Sequence, residues 1–89
     1  MRRIVHTSQF KRDYKKRSRE RGIDQLLAGV INKLVAGESL ETKFRAHPLK
    51  GGYAGCRECH LKPDLLLIYL QTPDELRLVR LGSHGELFD

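Results

Sequence analysis

The run Leu65-Leu66-Leu67-Ile68-Tyr69-Leu70 carries no charge, and turn signals bracket it, Lys62-Pro63-Asp64 before and Thr72-Pro73-Asp74-Glu75 after. An apolar run of this length between turns suits a central strand buried on both faces. In a chain of 89 residues such a strand governs most of the rest, because its neighbours must cover it. Leu76 to Leu81 reads as the following strand and Cys56 to Lys62 as the preceding one, so the C-terminal half is a meander. Pro63 pre-sets the backbone angle its turn needs. The tail from Gly82 to Asp89 is short and is expected to pack back on the sheet through Leu87 and Phe88.

The N-terminal half has a different period. Residues 2–6 form a short β-rich segment around Ile4 and Val5. Thr7 or Ser8 then supplies an oxygen able to cap a helix. That helix is expected to run to about Arg21, with Phe10 and Tyr14 four apart on one face, and Gly22 ends it. Asp24 is expected to cap a second helix. There Leu26, Val30 and Leu34 form one row at a spacing of four, and Leu27, Ile31 and Val35 form another, making a broad apolar stripe. Gly37 closes it. Residues 38–50 look irregular, and Pro48 excludes a regular helix. Strand, two helices, then strands suggests one α+β domain over residues 1–89, with both helices on one face of an antiparallel sheet and the other face free for a site.

Charge narrows the function classes. The 17 Lys and Arg against 11 Asp and Glu give +6, and nine of the basic residues fall between Arg2 and Arg21. This favours an anionic partner, although a basic helix face also serves plain solubility. A domain this small buries only about 60–65 % of its unfolded surface, so a partner would add stability. No segment reaches the ~18 apolar residues that span a bilayer, and the first residues lack an apolar signal core. A cytoplasmic, membrane-free protein with reduced thiols is expected. Cys56-Arg57-Glu58-Cys59-His60 has the spacing of a haem attachment motif, but that requires export. On a strand the two thiols would point to opposite faces, which also argues against a shared zinc ion.

Among the histidines, His6 is expected to be structural. His47, His60 and His84 lie on three segments that a sheet can bring together, along with Asp64 and Arg80. Imidazole titrates near neutrality, so a pair can act as base and acid in one reaction. An arginine fork suits a phosphate whose charge grows in the transition state. Chemistry alone leaves RNA cleavage, DNA binding and an adaptor role all open.

The C-terminal half adds a resemblance. Ala46-His47-Pro48-Leu49-Lys50-Gly51 resembles the HPL-x-G element of YafQ-type toxins in the RelE/ParE superfamily. Cys56 to Asp64 is similar to their R-[DE]-x-H-x-x-PD element, Leu67-Ile68-Tyr69 to the strand that follows it, and Leu78 to Phe88 to the terminal R-x-G-[ST]-H-x-x-LF signature. The elements occur in family order over about half the chain. The first half agrees in length, charge and helix order.

The resemblance implies a RelE/ParE-like α+β fold and the toxin of a type II toxin–antitoxin pair. Its activity would be a ribosome-dependent endoribonuclease, an mRNA interferase acting in the A site. No metal or other cofactor is implied, because the RNA's own 2′-hydroxyl attacks the neighbouring phosphate and leaves a 2′,3′-cyclic phosphate. The carried-over positions are His47, His60, Asp64, Arg80, His84 and Phe88. His84 would be the general acid and His47 the general base, with Asp64 and His60 orienting it or sharing the role. Arg80 would hold the phosphate and Phe88 place a base. Lys15, Lys16 and Arg19 would grip ribosomal RNA. The implied partners are the ribosome with its message and an acidic antitoxin with a ribbon-helix-helix half, through which alone operator DNA would be reached. Relatives often carry Trp after the Pro-Asp pair. Leu65 stands there and cannot stack on a base, so substrate preference or efficiency is expected to differ, with Tyr53 the nearest aromatic substitute. The competing assignments are a gyrase-type inhibitor on the same fold, which has no need of the histidines, and a basic nucleic-acid-binding module.

Overall fold

The computed structural model describes residues 2–88. Its elements run β1 (Arg3–His6), α1 (Ser8–Arg17), α2 (Ile23–Val35), β2 (His47–Pro48), β3 (Arg57–Lys62), β4 (Leu65–Gln71), β5 (Glu75–Gly82) and α3 (His84–Phe88), with single 3₁₀ turns at Thr42–Phe44 and Gly51–Tyr53. The sheet order is β1-β5-β4-β3-β2. Strands β2 to β5 pair antiparallel, and β1 adds to the outer edge of β5 in parallel.

The apolar run is strand β4, second neighbour to both edges of the sheet. Its side chains alternate as the pleat requires. Leu65, Leu67 and Tyr69 join the large core beneath the helices, with Phe10, Ile23, Leu27, Val30 and Leu34. Leu66 and Ile68 face the other way and meet Leu87 of α3. Leu65 is 2 % exposed on the helix side. The expectation that this position bears on substrate stacking is therefore corrected, because its side chain points away from the face carrying the histidines.

Thr7 caps α1, accepting from the Phe10 N–H at 3.1 Å. The helix stops at Arg17 and does not reach Arg21. A turn follows in which the Arg17 carbonyl accepts from Glu20 N–H and the Glu20 carbonyl from Ile23 N–H. It delivers Ile23 to the core at 1 % exposure. Burying an isoleucine is worth roughly 1.5–3 kcal/mol, against a few tenths per residue for helix propensity in the basic run. Tertiary packing wins.

Asp24 is not the cap of α2. Gly22 occupies that position with φ 79°, a left-handed conformation natural to glycine. Asp24 falls in the first turn, where its charge still suits the helix dipole, and its carboxylate accepts from the Tyr14 hydroxyl of α1. Gly37 does close α2. With φ 76° it donates to the Leu34 carbonyl while Glu38 donates to that of Lys33, the paired bonds of a Schellman ending.

The segment expected to be irregular holds β2, a two-residue edge strand containing Pro48. Proline is tolerated at a sheet edge because no ladder partner needs its missing N–H.

Candidate active site

The free face of the sheet is assembled from three connections. In the first, β2 lies against β3 so that His47 is directly opposite Glu58. His60 stands two residues further along β3 and therefore on the same face. Glu58 is 3 % exposed. Its Oε1 lies 3.3 Å from Nε2 of His47 and 3.3 Å from Nε2 of His60. Both distances exceed the ~2.7–2.9 Å of a charge-assisted hydrogen bond. His47 Nδ1 lies 2.7 Å from the Arg45 carbonyl oxygen. A carbonyl only accepts, so Nδ1 carries a hydrogen, and in the neutral ring the lone pair is on Nε2. Arg45 itself is held at φ 51°, a conformation that costs a non-glycine residue of order 1 kcal/mol or more.

The second connection positions His84. Ser83 and Glu86 form a capping box at the start of α3, with Ser83 N–H donating to Glu86 Oε1 at 2.9 Å and Glu86 N–H to Ser83 Oγ at 3.2 Å. Arg17 of α1 ion-pairs with the same Glu86 carboxylate. A Cβ at position 82 would lie 3.0 Å from Glu86 Oε1 and 3.3 Å from Leu87 Cδ2, so both side chains would have to give by a few tenths of an ångström. Asp64, in the β3–β4 turn, accepts from the His84 N–H at 3.1 Å and faces His84 Nδ1 at the same distance. The His84 backbone bond, then its ring, holds the Asp64 carboxyl below its ordinary value. The rings of His47 and His60 are 6.1 Å apart and those of His60 and His84 are 5.8 Å apart. Three histidines thus form a row.

The third connection is Arg80. Strand β5 carries one extra residue at Val79, between the pairs Ile68–Arg80 and Tyr69–Leu78. Such a bulge re-aims a side chain. Here Leu78 and Leu81 both face the helices, and Arg80 is released from strict alternation. Its Nε donates to Asp13 Oδ2 at 2.7 Å, its Nη2 to Asp13 Oδ1 at 3.3 Å and its Nη1 to the Tyr53 hydroxyl at 3.2 Å. Asp13 is 3 % exposed and also accepts from the Leu81 N–H at 3.0 Å. Burial alone would raise the Asp13 carboxyl, but Arg80, the Leu81 N–H and Gln9 outweigh it and hold it low. Tyr53 meets Phe88 edge-on at 5.9 Å, and Phe88, 44 % exposed, lies 6.1 Å from the His84 ring.

The family described as "Bacterial toxin of type II toxin-antitoxin system, YafQ" matches residues 2–89. The chain belongs to the YafQ toxin family. The mRNA interferase toxin YafQ of Escherichia coli K12 is 34 % identical over 89 residues, covering 96 % of this chain and 94 % of the relative. YafQ in the E. coli DinJ–YafQ complex is 31 % identical with a TM-score of 0.89 over 100 % of both chains. A metal-bound toxin from Helicobacter pylori is 44 % identical with a TM-score of 0.91, over 99 % of this chain and 100 % of that one. The five-stranded α+β architecture is that of the YafQ structures.

Within this YafQ-family face lie His47, His60, Asp64, Arg80, His84, Phe88 and Tyr53, all named from the sequence. Lys15, Lys16 and Arg19 lie elsewhere, exposed on α1 and the turn behind it. His6 is on β1 with its ring 5.8 Å from Phe10. Two residues were not singled out. Glu58 sits inside the R-[DE]-x-H element, which was the available signal. Asp13, 67 positions from Arg80, had no local signal. The cysteines diverge as strand geometry implies. Cys59 is in the helix-side core and Cys56 packs against the other cluster. Burial pushes the Cys59 thiol up to about 12, so it is inert. Among the described residues no helix is long and apolar enough to cross a membrane.

Proposed function

We propose that residues 1–89 act as one toxin domain, an endoribonuclease that cuts mRNA on the ribosome by acid–base chemistry without a catalytic metal. The row of His47, His60 and His84, closed by Asp64 and Arg80, carries this reading. The 2′-oxygen of the substrate forms a bond to phosphorus as the bond to the 5′-oxygen breaks. A 2′,3′-cyclic phosphate and a free 5′-hydroxyl result. His47 takes the 2′-hydroxyl proton on Nε2, the nitrogen left with a lone pair by its bond to the Arg45 carbonyl. His84 gives a proton to the leaving oxygen from Nε2, because Nδ1 is turned to Asp64. Asp64 thereby fixes the ring so that Nε2 is the nitrogen turned to the leaving oxygen.

Arg80 binds the scissile phosphate through the edge of its fork not taken by Asp13, and Phe88 and Tyr53 pack against a base. His60 orients the substrate between its two neighbours. So few groups leave alignment to the ribosomal A site, where positioning supplies several kcal/mol of the barrier. The basic surface of Lys15, Lys16 and Arg19 grips ribosomal RNA.

The E. coli relative is crystallised with DinJ. By the same logic this toxin is masked by an acidic antitoxin, drawn to the +6 chain and ordering as it binds. The deciding experiment maps cleavage of one message with and without translation. Cutting only of the translated copy is expected, and equal cutting of naked RNA would overturn the ribosome dependence.

A further inference from the structure

We infer that a cavity beside the histidine row seats the nucleotide on the 5′ side of the cleaved bond, with its base stacked on Phe44 and its 5′-phosphate met by Lys43 and Lys62. The direction of the strand rests on the nuclease reading above; the binding itself does not.

Charge and size are the first argument. Strand β2 covers β3 only at Glu58 and Arg57. Further along β3 the 3₁₀ turn Thr42–Phe44 takes its place. A cavity of about 310 Å³ is left there, lined by Lys43, Phe44 and Arg45 from the turn and by His60, Lys62 and Pro63 from β3 and its end. Among the described residues no carboxylate lines it. A larger cavity, of about 580 Å³, sets Glu38 and Glu41 beside its arginines, a mixture poorly suited to a polyanion. The smaller one is at the lower end of the size range for small-ligand pockets and admits one nucleotide, not a duplex.

The Phe44 ring is the second argument. It packs partly against the helix-side core, and Lys43 Nζ rests 5.4 Å from its centroid. The Lys43 side chain is 70 % exposed, so the covered ring face opens when the ammonium turns to a phosphate. A ring for the base with a cation for the backbone is how single strands are held. Lys62 Nζ lies 3.6 Å from Glu20 Oε1 and 3.3 Å from the Arg21 carbonyl oxygen. Lys43 Nζ lies 3.9 Å from Glu41 Oε2. Surface pairs of this length are worth little and yield to a phosphate.

Continuity with the row gives the direction. His60 lines the cavity and stands between His47 and His84, its ring 6.1 Å from the first and 5.8 Å from the second. Its Nδ1 is buried with no hydrogen-bond partner among the described residues. That is costly, and a polar edge of the seated base relieves it. Arg45, at φ 51°, turns its carbonyl to His47 and itself lines the cavity. The cavity thus adjoins the His47 end of the row, while Phe88 adjoins His84. His47 serves the nucleoside that carries the 2′-hydroxyl, and His84 the one that keeps the departing 5′-oxygen. The base on Phe44 is therefore 5′ of the cut and the base on Phe88 is 3′ of it.

The probe is a 5′-phosphorylated 2′-O-methyl dinucleotide, which has a base on each side of one internal phosphate and no nucleophile. Titrated into the ¹⁵N-labelled full chain, it should shift the NMR signals of the Phe44 and Lys62 amides together with that of His84. Phe44→Leu keeps apolar bulk and should weaken binding roughly 5- to 150-fold, the loss of one base–aromatic stack. Phe44→Tyr brings the ring back and should restore binding. Removing the 5′ base from the probe should weaken binding to wild type by the same factor and to Phe44→Leu no further. Lys43→Ser alters an exposed side chain, which guards against misfolding in Phe44→Leu, and should weaken the phosphorylated probe more than the unphosphorylated one. Lys33→Ser, outside the cavity, should bind as wild type does. On a translated message Phe44→Leu should raise the amount of toxin needed for half-cleavage and leave the saturated rate nearly unchanged. No shift in wild type at millimolar probe, unchanged affinity in Phe44→Leu, or equal losses of both probes in Lys43→Ser overturns the cavity. Coupling of Phe44 to the 3′ base overturns the direction. Wild type that cuts no message, translated or naked, overturns the nuclease reading, while the titration still decides the cavity.

Discussion

The two faces of strand β4 differ although the strand itself is apolar on both. Toward the helices, Leu65, Leu67 and Tyr69 meet side chains from both α1 and α2 and from the neighbouring strands. Toward the site, Leu87 is the one further buried hydrophobic residue that joins Leu66 and Ile68 among the described residues, with Leu49, Tyr53, Cys56 and Val79 partly covered. At roughly 1.5–3 kcal/mol per buried side chain, most of the stability resides on the helix side. The other face keeps just enough apolar surface to seat α3, and the polar groups sit around it. Cohesion and chemistry are therefore divided across one layer of backbone. Substitutions on the two faces should fail in different ways.

The largest expected effect belongs to His84→Ala. It should lower cleavage of a translated message by roughly 10²–10⁴-fold, the loss of a general acid. Its stability should stay within about 0.5 kcal/mol of wild type because the side chain is exposed. Denaturant unfolding and primer extension on the same preparation check both halves. A folded His84→Ala protein that cuts like wild type would end the assignment.

Next come paired leucines. Leu67→Ala, at 0 % exposure among the helices, should cost about 2–5 kcal/mol in urea unfolding. Leu87→Ala, 7 % exposed on the smaller cluster, should cost less stability yet lower cleavage by loosening the turn that carries His84. Equal stability losses with unchanged cleavage in Leu87→Ala would erase the contrast between the faces.

Asp13→Asn tests the one carboxylate that reaches from the helix layer to Arg80. A stability loss of about 1–3 kcal/mol is expected, since hydrogen bonds to a charged group are replaced by weaker ones. The pH dependence has a definite sign. The folded carboxyl is held below its ordinary value, so its contribution is complete above the unfolded value of about 3.9 and drains away as pH falls through the folded one. Wild type should therefore lose stability in that acid window by more than Asp13→Asn does. Parallel pH profiles for the two proteins would remove Asp13 from the account.

The smallest effect on the fold is expected from Lys15→Glu, Lys16→Glu and Arg19→Glu together. Stability should move by no more than about 0.5 kcal/mol per site. Ribosome binding should weaken, and its dependence on salt should flatten as phosphate contacts are lost. An unchanged salt slope in sedimentation would assign that surface to solubility alone.

Local pattern was enough for most of the elements, and the motifs for most of the candidate site's residues. The apolar run between two proline turns announced β4, the double row at a spacing of four announced α2, and the motifs around His47, His60, Asp64 and His84 named the polar face. Such signals survive in sequence because each depends on residues a few positions apart. Long-range geometry decided the remainder. The β2–β3 register set His47 opposite Glu58, a buried Ile23 ended α1 early, and the pleat of β4 turned Leu65 away from the site. The bulge at Val79 freed Arg80 from alternation, and Asp13 captured it from 67 residues away. Strand register, bulges and burial compare competing packings of the whole chain, so no window of neighbouring residues contains them.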